Sequence, residues 1–356
     1  MKILYIINSL GTGGAEKLVS DMIPLIKQKG IDIELLLLQK AKSLFIHKLE
    51  ESGIKIYYSP NSIYSPKNIF FIKRFVKNYD LIHVHLFPAQ YWAAFTFSKI
   101  PMVVTEHCTT NKRRKRKLYK WIERLTYGQY KKIISISDKA NDAIQSWLGF
   151  HENKFIVIEN GINLEAFYQA QSKKIENIPD NIKKIIMVGR FNATKDHPTA
   201  IKAMKLLGNN IHLLLVGDGI LKVDCEKLAN DLNVENRVHF MGLRNDIPEL
   251  LKSCDINLIS SHSEGLSISS LESLASGKPL VTSNVNGLKE INKDVGLMFE
   301  DNNSQELADC INQLLGDSLF YQKIAKRCLD KAKNYDIKKT VNQHILVYQQ
   351  ILKNTK

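Results

Sequence analysis

The sequence predicts an α/β protein of two domains, each a parallel sheet wound with helices on both faces. Three observations lead there. Short runs rich in Ile, Leu and Val alternate with longer amphipathic stretches, the pattern of doubly wound sheets. That alternation lapses once, in a polar stretch near the middle, and then restarts. A chain of 356 residues also exceeds what one hydrophobic core usually organises.

In the first half, strand-like runs fall at 3–7, 33–38, 54–57, 81–84, 102–105, 132–136 and 155–158. Helical periodicity fills the gaps, notably over 15–29, 66–78 and 138–148. The stretch 169–182 is polar, contains Pro179 and reads as an interdomain linker. Strand-like runs return at 184–188, 211–216, 237–240, 256–259, 279–282 and 297–299. Helical patterns at 305–315, 319–333 and 337–352 close the chain. The expected division is a first domain over 1–168, the linker, a second domain over 183–335 and a terminal helix over 336–356. Ligands in such sheets bind beyond the carboxyl ends of the strands, so a cleft between the domains is the expected site.

Composition narrows the partners. The formal net charge is +14, and it is uneven: residues 1–170 hold 25 Lys/Arg against 14 Asp/Glu. A field of that sign on one half favours an anionic partner, whether a phosphorylated acceptor, an acidic lipid surface or nucleic acid. Five scattered cysteines without a CxxC pair fit reduced, buried thiols. No apolar run reaches the roughly 18 residues that span a bilayer. The start runs straight into a strand without a cleavage pattern, so a cytoplasmic location is expected.

Three loops carry candidate chemistry. Between the first strand and helix lie Gly11, Gly13 and Gly14, where bare backbone can approach a phosphate at a helix N-terminus. A dinucleotide fingerprint needs a third glycine where Glu16 stands, which argues against a nicotinamide cofactor. In the second half, Arg190 and Lys195 flank a strand-to-helix turn and could neutralise a diphosphate. The most specific stretch runs from Ser261 to Pro279. Glu264 precedes a helix whose opening amides, at Gly265, Leu266 and Ser267, could bind phosphate; Glu272 lies within it. A carboxylate accepts from two vicinal hydroxyls, so Glu272 suits a ribose and Glu264 a sugar. No D-x-D pair is present, so no metal ligands are assigned and a divalent ion is not expected to be essential; the cations and helix N-termini supply the positive charge.

These motifs resemble the large retaining glycosyltransferase family, number four in the carbohydrate-enzyme classification. Its hallmark is two glutamates separated by seven residues within E-G-x…L-E-x-x-A-x-G-x-P, matched here by Glu264, Gly265, Leu271, Glu272, Ala275, Gly277 and Pro279. Gly13-Gly14-Ala15-Glu16, Gly189-Arg190 with Lys195, Gly217-Asp218-Gly219 and a terminal helix extend the resemblance over nearly the whole chain. The resemblance implies the GT-B fold: two Rossmann-like domains facing a cleft, with the C-terminal helix packing back on the first. It implies a nucleotide-sugar co-substrate, commonly a UDP-sugar, and no required cofactor. Glu272 would bind the donor ribose, Glu264 the transferred sugar, Arg190 and Lys195 the diphosphate, while Gly13 and Gly14 close over the phosphates. His107, in Thr105-Glu106-His107, would contact the donor sugar or orient the acceptor hydroxyl, which makes His107 and Glu264 the catalytic candidates. His83 and His85 are expected on opposite faces of their strand, one buried and one toward the ligand edge. A nucleotide-sugar epimerase would use the same scaffold without an acceptor.

Six consecutive cations remain: Lys112, Arg113, Arg114, Lys115, Arg116 and Lys117. They are expected to face an acceptor or an anionic membrane. The resemblance fits a glycan or lipid-pyrophosphate acceptor in surface polysaccharide synthesis and peripheral attachment to the inner face of the cell membrane. Behind the run, Leu118, Trp121, Ile122 and Leu125 recur at helical spacing and are expected to face the core. No aromatic-interleaved basic stripe is present, so nucleic acid is not expected as a partner.

Overall fold

The computed structural model describes residues 1–41, 43–109 and 111–354. They form two compact units, Met1–Gly161 with Ile337–Lys356, and Ile162–Asp336.

The first unit holds seven parallel strands: β1 (Lys2–Ile7), β2 (Asp32–Leu37), β3 (Ile56–Tyr58), β4 (Leu81–His85), β5 (Met102–Glu106), β6 (Lys132–Ser135) and β7 (Phe155–Val157). Their order is β3-β2-β1-β4-β5-β6-β7. Central strands covered on both faces read as unbroken apolar runs rather than alternating ones. Strand β1 is such a run, with Ile3, Leu4, Tyr5, Ile6 and Ile7 all at 0% exposure. The order reverses between β1 and β4, which makes their carboxyl ends the switch point where ligands bind in such sheets. The terminal helix Ile337–Lys353 belongs to this unit and packs on the first helix, Gly14–Gln28.

The second unit repeats the plan with β8 (Lys183–Val188), β9 (Ile211–Val216), β10 (Val238–Gly242), β11 (Ile256–Ile259), β12 (Leu280–Ser283) and β13 (Leu297–Phe299). The order β10-β9-β8-β11-β12-β13 puts its switch point between β8 and β11. Arg190 follows the first of these strands and Glu264 the second.

Three expectations are corrected. The stretch 169–182 is no free linker, because it is tied down on the second unit. Ser172 Oγ donates to the Lys252 carbonyl (3.1 Å), the Lys173 amide donates to Ser253 Oγ (2.8 Å), and Ile175 and Ile178 are buried. The second unit accordingly begins at Ile162 instead of 183 and ends at Asp336. His83 and His85 share a face of β4, as residues two apart on a strand must; both are fully buried, with ring centroids 4.2 Å apart.

The third correction concerns the helix Lys117–Gly128. Leu118, Trp121 and Leu125 stand outward at 72%, 77% and 52% exposure, while Glu123, Thr126 and Tyr127 are fully buried. The inner face sets the Tyr127 ring into the hydrophobic core and is pinned there by hydrogen bonds. Glu123 accepts from Tyr91 Oη (3.1 Å), Arg113 Nε (3.2 Å) and Trp147 Nε1 (2.7 Å), and Tyr127 Oη donates to Glu106 (2.6 Å). A carboxylate so completely satisfied can be buried, and it fixes which face turns inward.

Candidate functional site

At the carboxyl edge of the first sheet, the loops after β1 and β4 are stitched together by Asn8. Its side chain donates to the Phe87 carbonyl (2.6 Å) and accepts from the Ala89 amide (3.1 Å). Gly13 caps the helix Gly14–Gln28 without a side-chain bond, and a Cβ there would lie 2.2 Å from a Glu16 carboxylate oxygen. The Glu16 side chain therefore folds over the glycine loop.

Behind this edge lies a buried polar network. His83 contacts Tyr348 Oη through Nδ1 and Thr105 Oγ1 through Nε2, both at 2.7 Å, and Tyr348 meets Tyr5 Oη at 2.6 Å. His85 Nδ1 lies 3.1 Å from His107 Nε2, while His85 Nε2 is buried without a partner. Burial, then the neighbouring His344, pulls the His107 imidazole down to about 3. Burial likewise holds His83 and His85 well below the usual histidine range. His107 is thus a neutral ring near physiological pH, able to accept or donate a hydrogen bond but unsuited to carry a charge there. Tyr348, which holds this network from the terminal helix, escaped the sequence reading, and His85 was expected on the face opposite to His83. The usable signal was the H-x-H spacing on one strand face.

The six-cation run divides. Arg114 donates to Glu106 (2.9 Å), and Arg113 pairs with Glu123 and lies 3.9 Å over the Phe87 ring. Both guanidiniums are turned inward, contrary to the outward expectation, because two buried carboxylates need them. Arg116 and Lys117 are exposed. The side chains of Lys112 and Lys115 lie outside the described part of the structure.

In the second unit, the loop after β8 pairs with the loop after β11. Lys195 and Ser261 form an antiparallel bridge, the Asp196 amide donates to the Ser260 carbonyl (3.0 Å), and the His262 amide donates to the Thr194 carbonyl (2.9 Å). This pairing brings Lys195 Nζ onto Glu264 Oε1, which also accepts from Ser261 Oγ at 2.9 Å. Lys195 lies along Gly189, its side-chain carbons 3.4–3.5 Å from where a Cβ would stand. Arg190 is exposed at the end of β8.

Two glycines shape this edge. A Cβ at Gly217 (φ +146) would meet the Gly189 carbonyl oxygen at 2.0 Å, so only glycine lets the loops after β8 and β9 touch. Gly287 (φ +89) plays the same part for the glutamate turn: a Cβ would lie 2.2 Å from the Glu264 oxygen and 2.4 Å from that of Gly265. The Glu264 amide donates to the Asn286 carbonyl (3.1 Å). Gly287 was invisible in the sequence because its partner turn lies more than twenty residues away.

Gly265 is half-buried, whereas Leu266 and Ser267 are buried. Ser267 begins the helix Ile268–Ala275 without a side-chain cap, and Glu272 is buried within it at 4% exposure. Asp196, His262 and Asp301 bring ligating atoms within 4.8 Å of one another and could hold a cation. Both Asp196 oxygens, however, already accept, from the Thr199 amide (3.2 Å) and Ser260 Oγ (3.3 Å), and His262 Nδ1 is 2.8 Å from Asp301. All five cysteines are free thiols.

The edge thus offers carboxylates, cations and helix amides within one loop cluster. Residues 12–166 match the model for Glycosyltransferase Family 4, and residues 169–335 that for Glycosyl transferases group 1. An N,N'-diacetylbacillosaminyl-diphospho-undecaprenol alpha-1,3-N-acetylgalactosaminyltransferase of Campylobacter jejuni is 32% identical over 61% of this chain; the match spans 60% of that relative's length. The N-acetylgalactosamine-N,N'-diacetylbacillosaminyl-diphospho-undecaprenol 4-alpha-N-acetylgalactosaminyltransferase of the same organism is 27% identical over 94% of this chain and 96% of its own. Anabaena HepE, solved with UDP and glucose, superposes with a TM-score of 0.85 at 23% identity, covering 98% of this chain and 99% of that one. With both halves matched to glycosyltransferase models on this doubled parallel-sheet fold, the chain belongs to the family 4, group 1 glycosyltransferases and is a transferase enzyme.

Proposed function

We propose that this enzyme transfers a sugar, with retention, from a UDP-sugar to a lipid-diphosphate-linked glycan at the inner face of a membrane, in surface polysaccharide synthesis. The observation that carries the reading is the Lys195–Glu264–Ser261 cluster, set directly before a helix with no side-chain cap. Arg190, Lys195 and the amides at Gly265, Leu266 and Ser267 take the donor diphosphate, a positive end that needs no metal. Glu272 accepts from the ribose hydroxyls and Glu264 from the sugar. The lipid-diphosphate acceptor draws support from relatives named for diphospho-undecaprenol acceptors, and the UDP donor from HepE.

In the step we favour, the C1–oxygen bond to the diphosphate breaks as the acceptor oxygen bonds C1 on the same face. The acceptor proton passes to the departing phosphate oxygen. His107, held neutral, positions the sugar or the acceptor hydroxyl and is not the proton carrier. Glu272→Ala should raise the donor KM about tenfold or more, the cost of lost hydrogen bonds to a charged group. Glu264→Gln should lower kcat about a hundredfold with little change in KM. Steady-state transfer from UDP-sugars to a synthetic lipid diphosphate checks both, and wild-type constants in the two variants would refute the assignment.

A further inference from the structure

The inside-out helix ends at a second feature. Its exposed positions Leu118, Trp121, Leu125 and Gly128 are spaced by three, four and three residues, so they form one stripe along one helix face. Gly128 is also the rim of a pocket of about 690 Å³, whose lining includes Lys99, Lys131, Lys132 and Lys154. That lining holds no carboxylate. The pocket lies at the amino ends of β5, β6 and β7, the edge opposite His107. Phe97, 59% exposed, immediately precedes its rim residue Ser98.

Within the helix and at its start, cations border the stripe. Lys117 and Arg116 are exposed at its start, Lys120 and Arg124 flank it, and the one acid of the helix, Glu123, is fully buried. Inside the pocket, Lys132 Nζ is directed at the Asn153 carbonyl and Lys154 Nζ donates to the Gly128 carbonyl (2.9 Å). Burial and the charge of Lys131 lower the Lys154 ammonium, a crowding of like charges that a bound anion would relieve. An apolar stripe bordered by cations and leading into a carboxylate-free lysine pocket has the chemistry of a surface that enters an anionic bilayer.

We propose that Leu118, Trp121 and Leu125 insert into an anionic membrane while the Lys99/Lys131/Lys132/Lys154 pocket receives a lipid phosphate headgroup. The inference rests on the membrane-side reading above and moves the contact from the basic run to this helix face and pocket. Docking here would leave the carboxyl edge of the sheet, with His107, clear of the lysine pocket.

Flotation of the full chain with phosphatidylcholine vesicles, alone or mixed with phosphatidylglycerol, tests it. The wild type should float with the mixed vesicles and shift its tryptophan emission to the blue, and Trp121→Phe should remove most of that shift. The combined Leu118→Ser, Trp121→Ser, Leu125→Ser variant should lose at least about tenfold in vesicle affinity. Lys99→Gln with Lys131→Gln should keep weak binding but lose the preference for phosphatidylglycerol. Equal flotation of the serine variant and the wild type, or an unchanged lipid preference in the lysine variant, would overturn the proposal. So would self-association through Trp121 in place of vesicle binding. UDP titration of the same samples separates the two readings. Protein that binds UDP and ignores vesicles overturns only the docking surface; protein that floats and ignores UDP overturns only the donor site.

Discussion

Lys195 and Glu264 are each 14% exposed, so their pairing is largely shielded from water. A half-buried carboxylate left without its cation is costly, so Lys195 holds the Glu264 turn, and in the proposed function it also offers charge to the donor diphosphate. Lys195→Met should therefore weaken donor binding and also disorder Glu264, lowering kcat along with affinity. The buried histidines make a separate prediction. Each is neutral in the folded state and can gain a proton when unfolded below its ordinary value of about 6.5. Their folded values are depressed, so the unfolded chain binds more protons below that pH and stability falls with acidification. For His344, drawn down to about 4 by burial, the loss at pH 5 is about 2 kcal/mol. Urea unfolding of the first unit followed from pH 7 to pH 5 should show it; a midpoint independent of pH would contradict the network.

The helix Lys117–Gly128 shows what hydrophobic spacing can and cannot tell. Its apolar stripe was plain in the sequence, but the rule that such stripes face inward failed. The inward side is set by partners 10 to 32 residues away: Arg113, Tyr91 and Trp147, all bonded to Glu123. No local pattern announces such a network. Strand β1 was legible for the opposite reason, since it is covered on both faces and its nearly all-aliphatic residues say so. Truncating Glu123 to Ala would leave Arg113 unpaired beside the core. Loss of a buried partner costs about 3–5 kcal/mol, and thermal unfolding should register it as a clear drop in Tm. Gly287→Ala acts elsewhere. It forces a side chain into a left-handed position and onto the Glu264 and Gly265 oxygens. A fall in kcat much larger than the fall in Tm is expected, because the strained turn carries the glutamate and not the core.

For the whole molecule, the doubling of the fold was readable because the alternation of strands and helices restarts after 182. The boundary was not, because polarity in 169–182 marks a segment that crosses the surface of the second unit, tied there by Ser172 and Lys173. Candidate site residues that adjoin strand ends, Arg190, Lys195 and Glu264, were legible, since strand ends are where such sheets place ligands. Ser261 and Gly287, the supports of Glu264, depend on which loops meet, as His85 beside His107 does within the first unit, and that is a property of the strand order. The central claim is that the carboxyl edge built by Lys195, Glu264 and Glu272 receives a nucleoside diphosphate sugar. Calorimetric titration of the purified chain with UDP, GDP, ADP and NAD tests it most directly. Saturable binding of UDP, lost in Glu272→Ala, is the predicted result. Preference for NAD, or no binding of any diphosphate by a folded protein, would contradict it.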